Sequence, residues 1–524
     1  MSLQFIFGNS GSGKSHYLYQ QIVEESIRHP EKNYLVLVPE QFTMQTQKDL
    51  CMAHPRGGIM NIDVLSFGRL AHRVFEETGK ERQPILDDEG KNLVLRKIAG
   101  NYEDELTVLK GNLKKQGYIS EVKSVISEFT QYGIDFEQLD SFMEGLNPES
   151  YLYYKLKDIR KVYEGFEDYL RDKYITKEEL LDVLSQTVPE AKMLKDSVIA
   201  MDGFTGFTPV QNRLIGELLK VCDKIMLTVE IDRREDPFVY KHPYQLFALS
   251  KQMVTSLTEV AQEVRVEIDE PVWLCKNPSY RFKENPEMAF LEEELFRYSR
   301  RKYSGEKMRS ISLHEVHTPQ EEAQYVAEEI RRLVREEGYR YREITVIASD
   351  LSTYADALEK ACDRYEIPVF MDHKKSILLN SFVEYLRSLL VMVEQNYTYE
   401  SVFRYLRTSL CGFTRDEVDR LENYCLALDL KGFKKWDQVW VRKTPMTTKE
   451  ELEELNHLRM RFVEKLTPLH TVLKKRKKTV KEITLAVYEY LVQEKIQEQL
   501  AELEQKFQED GELALAKEYA QIYR

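Results

Sequence analysis

The apolar positions of this chain change their period several times, and each change predicts an element. Leu3 to Phe7 and Tyr34 to Val38 are short, nearly continuous apolar runs that read as central parallel strands covered on both faces. Gly58 to Ser66, Ser197 to Asp202 and Lys224 to Val229 predict three more strands. Between them the spacing lengthens. His16 to Ile27 has a helical apolar spacing, and Phe67 to Glu77 sets Leu70, Val74 and Phe75 on one helix face. Residues 89–189 are charged, Tyr-rich and helically periodic, with few strand signals. The pattern therefore predicts an α/β domain in two pieces, 1–88 and 190–275, split by a helical insertion.

A second α/β block is expected over 276–378. Its strand candidates are Ile311–Val316, Glu343–Ala348 and Ile367–Met371, and its helices Gln320–Glu337 and Ser352–Tyr365. Residues 379–524 return to helical periodicity, which predicts a second insertion. That stretch stops inside a helix-like segment, Glu512 to Arg524, without a stop signal. The chain is thus expected to be a fragment of a longer protein.

The first strand runs directly into Gly8-Asn9-Ser10-Gly11-Ser12-Gly13-Lys14-Ser15, a complete G-x-x-x-x-G-K-[ST] loop. It lies between a strand and a helix, where its chemistry requires it. The backbone N–H groups of such a loop and of the following helix face an anion. Lys14 is expected to reach the β- and γ-phosphates of ATP, and Ser15 to ligate Mg²⁺. Asp202, at the end of a later strand, suits the second metal-side role. In superfamily 1 helicases a catalytic glutamate follows this aspartate, whereas here the next residue is Gly203. No catalytic residue is therefore assigned. Nucleotide binding is expected, with weak hydrolysis or none. The alternative is a working ATPase or translocase whose acid comes from elsewhere, such as Glu40. A small-molecule kinase fits poorly with the length and the second α/β block. Ala348-Ser349-Asp350 stands where such helicases place a γ-phosphate arginine, so an arginine is expected only from beyond residue 524 or from a partner.

The net charge of −13 argues against a protein that coats nucleic acid electrostatically, but a basic channel can exist within an acidic body. Three basic clusters stand out: Arg297 to Lys302, Lys431 to Lys443 with Trp436 and Trp440 interleaved, and Lys474 to Lys478. Cations beside aromatics suit single-stranded DNA, and a solvated face is the plainer alternative. The six cysteines are scattered with no C-x-x-C, which predicts reduced thiols, a cytoplasmic setting and no metal cluster in this segment. No apolar run has the length of a membrane span.

Several segments together resemble one family. The phosphate loop, VPEQFT (Val38 to Thr43), VLSFGRLAHRV (Val64 to Val74), MDGFTGFTPVQ (Met201 to Gln211) and LEEELF (Leu291 to Phe296) are similar, in order, to AddB-type subunits of AddAB helicase–nucleases. The resemblance implies two RecA-like, superfamily 1 helicase-like domains, each with a helical insertion. It implies a heterodimer with an AddA-type motor and nuclease subunit, acting on double- and single-stranded DNA at double-strand breaks and scanning for Chi. It implies a nuclease domain and a [4Fe–4S] cluster only in the part beyond this segment. It also implies that loops after the early strands scan the strand. Thr43, Phe67, Arg69 and Phe207 match those positions. Phe67 and Phe207 would stack on bases or pack beneath the loop, and Arg69 would hold a phosphate or base edge.

Overall fold

A computed structural model describes residues 1–79, 84–113, 115–305, 308–371, 376–445 and 447–523. Its strands are β1 (Ser2–Gly8), β2 (Tyr34–Leu37), β3 (Ile62–Leu65), β4 (Ile85–Leu86), β5 (Ile175–Thr176), β6 (Val198–Met201), β7 (Lys224–Glu230), β8 (Glu267–Ile268) and β9 (Val272–Trp273). All the expected strands of the first domain form. Seven strands make one parallel sheet in the order β3-β2-β6-β7-β1-β8, with β9 also on β1. The short strands β4 and β5 pair separately, also in parallel.

The near-continuous apolar runs are explained by helices on both faces. On one face Ile6, Val36, Ala200 and Met226 pack against Leu18, Ile22 and Val23 of α1 (Lys14–Arg28), and Leu50 of α2 (Thr43–Ala53) joins them. On the other, Phe5, Leu37, Ile199 and Leu227 meet Leu70 and Val74 of α3 (Phe67–Thr78). Each of the larger side chains here, fully buried, contributes roughly 1.5–3 kcal/mol.

The stretch after β4 is helical as expected. Helices α4 (Asp88–Asn101), α5 (Gln116–Tyr132), α6 (Phe136–Glu144) and α7 (Tyr151–Leu170) lead through β5 to α8 (Leu180–Thr187). Leu95, Ile98, Ile119, Ile126, Val162 and Phe166 give the insertion a core of its own. The chain then returns to the sheet through α9 (Pro209–Leu219) and α10 (Ala248–Glu263), both packed on the α3 face. α11 (Pro286–Glu294) follows.

The chain divides into two compact units, 1–314 and 315–524. The second is helical. α12 (Pro319–Glu336) and α13 (Leu351–Arg364) form where expected and share a small core around Ala327 and Leu358. Further helices from Ser381 to Ile522 enclose Tyr385, Phe462 and Trp436.

The expected second sheet is not formed among the described residues. Ile311–Val316, Glu343–Ala348 and Ile367–Met371 are not strands, and Leu313, Ile347 and Phe370 stand more than nine-tenths exposed. Alternation of apolar and polar residues specifies a face. A strand also needs a register-matched neighbour to take its backbone N–H and C=O groups, and none of these segments has one among the described residues.

Among the described residues no helix is long and apolar enough to cross a membrane. The six cysteines are all free thiols, four of them buried.

Candidate phosphate-binding site

The site is built at the carboxyl edge of the sheet, where β1 passes into α1. Gly8 closes the strand. A Cβ there would lie 2.3 Å from Ser12 Oγ and 2.9 Å from Lys14 Cγ, so the loop can fold this tightly only around glycine. α1 has no side-chain cap and no acidic residue in its first turn. Its leading N–H groups therefore keep their donors for an anion. Ser12 Oγ is buried without a hydrogen-bond partner. An uncapped helix start and an orphaned hydroxyl inside one loop are what a phosphate group would satisfy.

Lys14 is folded into its own loop, with Nζ donating to the Asn9 carbonyl at 3.0 Å. Burial pushes the Lys14 ammonium below its ordinary value, while Glu230 and Asp202 pull it back up. Ser15 Oγ donates to Asp202 Oδ1 at 3.1 Å. The same carboxylate accepts from Thr228 Oγ1 at 2.5 Å and from Tyr19 at 2.7 Å. Asp202 is buried, and three hydroxyls from α1 and β7 fix its orientation. Ser15 and Asp202, the two residues expected on the metal side of a Mg–nucleotide, are thus in contact. No cluster of three or more His, Cys, Asp or Glu is arranged to hold a metal alone among the described residues.

Sequence reading missed the cover of this loop. The turn Ser279–Phe282 lies across it, with the Arg281 N–H donating to the Gly11 carbonyl at 3.0 Å. Ser279 is buried and its Oγ has no partner. The Arg281 guanidinium is close enough to push the Lys14 ammonium further down. An arginine therefore stands beside the loop within the chain, where one was expected only from beyond residue 524 or from a partner. Asn9 is held from two sides: its amide donates to the Lys276 carbonyl at 3.2 Å and to Glu292 at 3.1 Å. Burial pushes the Glu292 carboxyl up. A cavity of about 300 Å³ opens here, lined by Asn9, Arg233, Cys275, Asn277 and Glu292 among others. The only signal for this cover was the LEEELF segment, whose Glu292 grips Asn9 and whose Glu293 and Glu294 pair with Arg301.

The four strand-scanning candidates fall differently. Thr43 is buried and donates to the Glu40 carbonyl at 3.0 Å, closing a turn before α2. Phe67 is buried and Phe207 half-buried. With Phe204 they form an aromatic trio, centroids 5.1 to 6.2 Å apart, beneath the loop after β6. Arg69 projects into solvent from the first turn of α3.

The basic clusters are also sorted. Trp436 and Trp440 are buried in the helical core, so they cannot stack on bases. Arg297 is tied to Asp232 at 2.7 Å and Glu235 at 3.1 Å. Lys474 to Lys478 is exposed throughout.

Residues 5–292 match the family model described as ADDB, N-terminal, and residues 281–524 match the UvrD-like helicase C-terminal domain. Curated relatives span the whole chain. One from Lachnoclostridium phytofermentans is 40% identical over 530 residues, one from Clostridium perfringens 33% over 539, and one from Acetivibrio thermocellus 32% over 532. Each is named as a component of an ATP-dependent helicase/deoxyribonuclease. The chain covers 46% of each, so it spans about half the length of the curated relatives it matches.

Proposed function

The chain belongs to the AddB N-terminal family, and from that membership we propose that it is the nucleotide- and DNA-binding portion of the AddB-type component of an ATP-dependent helicase–nuclease. In this reading the complex processes double-strand breaks for recombinational repair in the cytoplasm. The AddB-type component pairs with an AddA-type motor and scans single-stranded DNA for Chi. Its first RecA-like domain is 1–88 with 190–275, interrupted by the insertion 89–189. The stretch 276–378, whose expected strands form no sheet among the described residues, belongs on this reading to a second helicase-like domain, with the insertion 379–524. The nuclease groups and a [4Fe–4S] cluster belong to other parts of the same polypeptide.

The Ser15–Asp202 contact at 3.1 Å carries the nucleotide reading. It joins the phosphate loop to the acidic end of β6 across 187 residues. In the loop, the N–H groups of Gly11 to Ser15 bind phosphate oxygens, Lys14 turns from Asn9 to the triphosphate, and Ser15 and Asp202 hold Mg²⁺, which neutralises charge on the phosphates. Gly203 supplies no acid, so turnover is slow. Among the strand-scanning candidates, exposed Arg69 and the open edge of Phe207 are the groups that suit contact with a strand.

Equilibrium binding of a fluorescent ATP analogue tests the core of this proposal. Lys14→Ala should weaken Mg–ATP at least about tenfold, since it removes a charge-assisted contact to phosphate. Equal affinity in wild type and variant would remove the loop from nucleotide binding.

A further inference from the structure

We propose that Glu230 is the water-activating carboxylate of this site, standing in for the acid that Gly203 does not supply. The proposal rests on the reading of residues 8–15 as a Mg–ATP loop.

The sheet order settles which carboxylates can reach the phosphates. β7 lies directly between β6, which leads into Asp202, and β1, which leads into the loop. Side chains along a strand alternate between faces, and in-register partners share one. On β7 the residues facing α1 are Met226, Thr228 and Glu230. Met226 packs with Ile6, Leu18 and Ile22. Thr228, the next in that file, donates to Asp202 at 2.5 Å. Glu230 is the last, exposed, with its Cα opposite Gly8. It therefore leaves the sheet on the α1 face, beside Lys14 and past the Ser15–Asp202 pair. A Cβ on Gly8, the register partner of Glu230, would lie 2.9 Å from Lys14 Cγ, so the two side chains start from neighbouring positions. Among the described residues its carboxylate forms no ion pair and no hydrogen bond, so its oxygens are free for water.

Two competing positions are excluded by geometry. Gly203 has φ +76, a left-handed conformation that strains any L side chain. A Cβ there would point toward Pro39 and Phe42, 3.7 and 3.8 Å away, and not at the loop. Glu40 follows β2, which is separated from β1 by β6 and β7. At about 4.8 Å per strand spacing it starts roughly 14 Å from the loop, whereas Glu230 starts one spacing away. In the reaction, a water oxygen bonds to the γ-phosphorus as the bond to the β–γ bridging oxygen breaks. The electron pair leaves with ADP, and the water proton passes to a Glu230 oxygen.

The test is Glu230→Gln in the chain, read in two ways. Single-turnover ATP hydrolysis should fall at least about tenfold, the low end for losing a general base. Mg–ATP should bind as well as before or severalfold tighter, because a negative charge has left the γ-phosphate position, while Mg–ADP affinity stays within twofold. Glu230→Asp, which keeps a carboxylate, should retain part of the turnover. Hydrolysis by Glu230→Gln within twofold of wild type overturns the proposal, as does a comparable loss of both ATP and ADP affinity. A wild-type chain that binds Mg–ATP but never hydrolyses it also overturns it. Failure of the wild type to bind Mg–ATP at all overturns the underlying nucleotide reading instead.

Discussion

Tyr19 and Asp202 are joined by a 2.7 Å hydrogen bond from the phenol to Oδ2, which ties the helix after the phosphate loop to the acidic end of β6. Burial next to Asp202 pushes the Tyr19 hydroxyl well above its ordinary value, so it remains a donor at every working pH. With Ser15 and Thr228 it holds the carboxylate in one orientation before any metal arrives. Tyr19→Phe keeps the packing and removes one of the three anchors. A lost hydrogen bond to a charged group costs about 1.5 kcal/mol, close to tenfold in binding. Mg–ATP affinity should weaken by about that factor, and metal-free ATP binding should not change. Titration calorimetry with and without Mg²⁺ checks this, and equal losses in the two conditions would mean that Tyr19 serves the fold rather than the metal.

Phe207 sits against Phe67 at 6.2 Å and Phe204 at 5.1 Å, with part of its ring open to solvent. Removing it opens the trio beneath the loop and takes away a stacking surface. Phe207→Ala should cost about 1–2 kcal/mol of stability, less than the 3–5 kcal/mol of a fully buried Phe. It should also weaken single-stranded DNA binding by about 1–3 kcal/mol if a base stacks there. Thermal melts and fluorescence anisotropy on a short oligonucleotide separate the two effects. A melt change with unaltered DNA binding would assign the ring to packing alone.

Glu167 on α7 carries a carboxyl pushed up to about 7 by burial and by the nearby charge of Glu179. Its folded value therefore lies above the unfolded one. The stability tied to the protonated form is fully present below about pH 4.5 and is lost as pH rises through 7. Glu167→Gln, always neutral, should flatten this part of the profile. It should stabilise the chain by about 1 kcal/mol at pH 8 after solvent screening, with little gain at pH 5. Urea melts from pH 5 to 8 measure the difference, and a parallel offset at all pH values would rule out the titration.

What the sequence made legible follows from how local each signal is. Leu3–Phe7 and Tyr34–Val38 announced buried strands because both faces of a central strand are apolar, and β1 and β2 form there. The loop 8–15 was legible because its glycines answer to contacts within eight residues, such as Gly8 against Ser12. The position of Asp202 at the end of a strand was legible from its place after an apolar run. Glu230, Arg281 and Glu292 were not, because only the strand order and the return of the chain over the loop bring them to it. The segments 311–316, 343–348 and 367–371 read as strands because alternation is local, whereas their ladder depends on neighbours that no local pattern specifies. Trp436 and Trp440 read as a stacking surface beside lysines. The fold turns both rings inward, Trp440 against Tyr424 at 5.0 Å, and leaves Lys434 and Lys435 in solvent.

Glu292 offers the sharpest test of the cover over the phosphate loop. Its carboxylate accepts from Asn9, the second residue of the loop, and α11 has no other hydrogen-bonded hold on that residue among the described residues. The Asn9 amide keeps its bond to the Lys276 carbonyl when Glu292 is removed. Glu292→Ala should therefore loosen the cover without unfolding the loop. A hydrogen bond to a charged group is worth about 1.5–3 kcal/mol in a partly buried setting. Mg–ATP should then bind roughly tenfold more weakly, through faster release, because the cover keeps only its Arg281–Gly11 and Lys276–Asn9 contacts with the loop. Glu292→Gln retains an acceptor oxygen for Asn9 and should recover most of the affinity. Stopped-flow release of a fluorescent nucleotide distinguishes the outcomes. Faster release in the alanine variant with near wild-type release in the glutamine variant assigns the effect to the Asn9 contact. Equal release in both variants would assign it to the charge of Glu292 beside Asp232 and Arg234, whose fields meet at the same carboxyl.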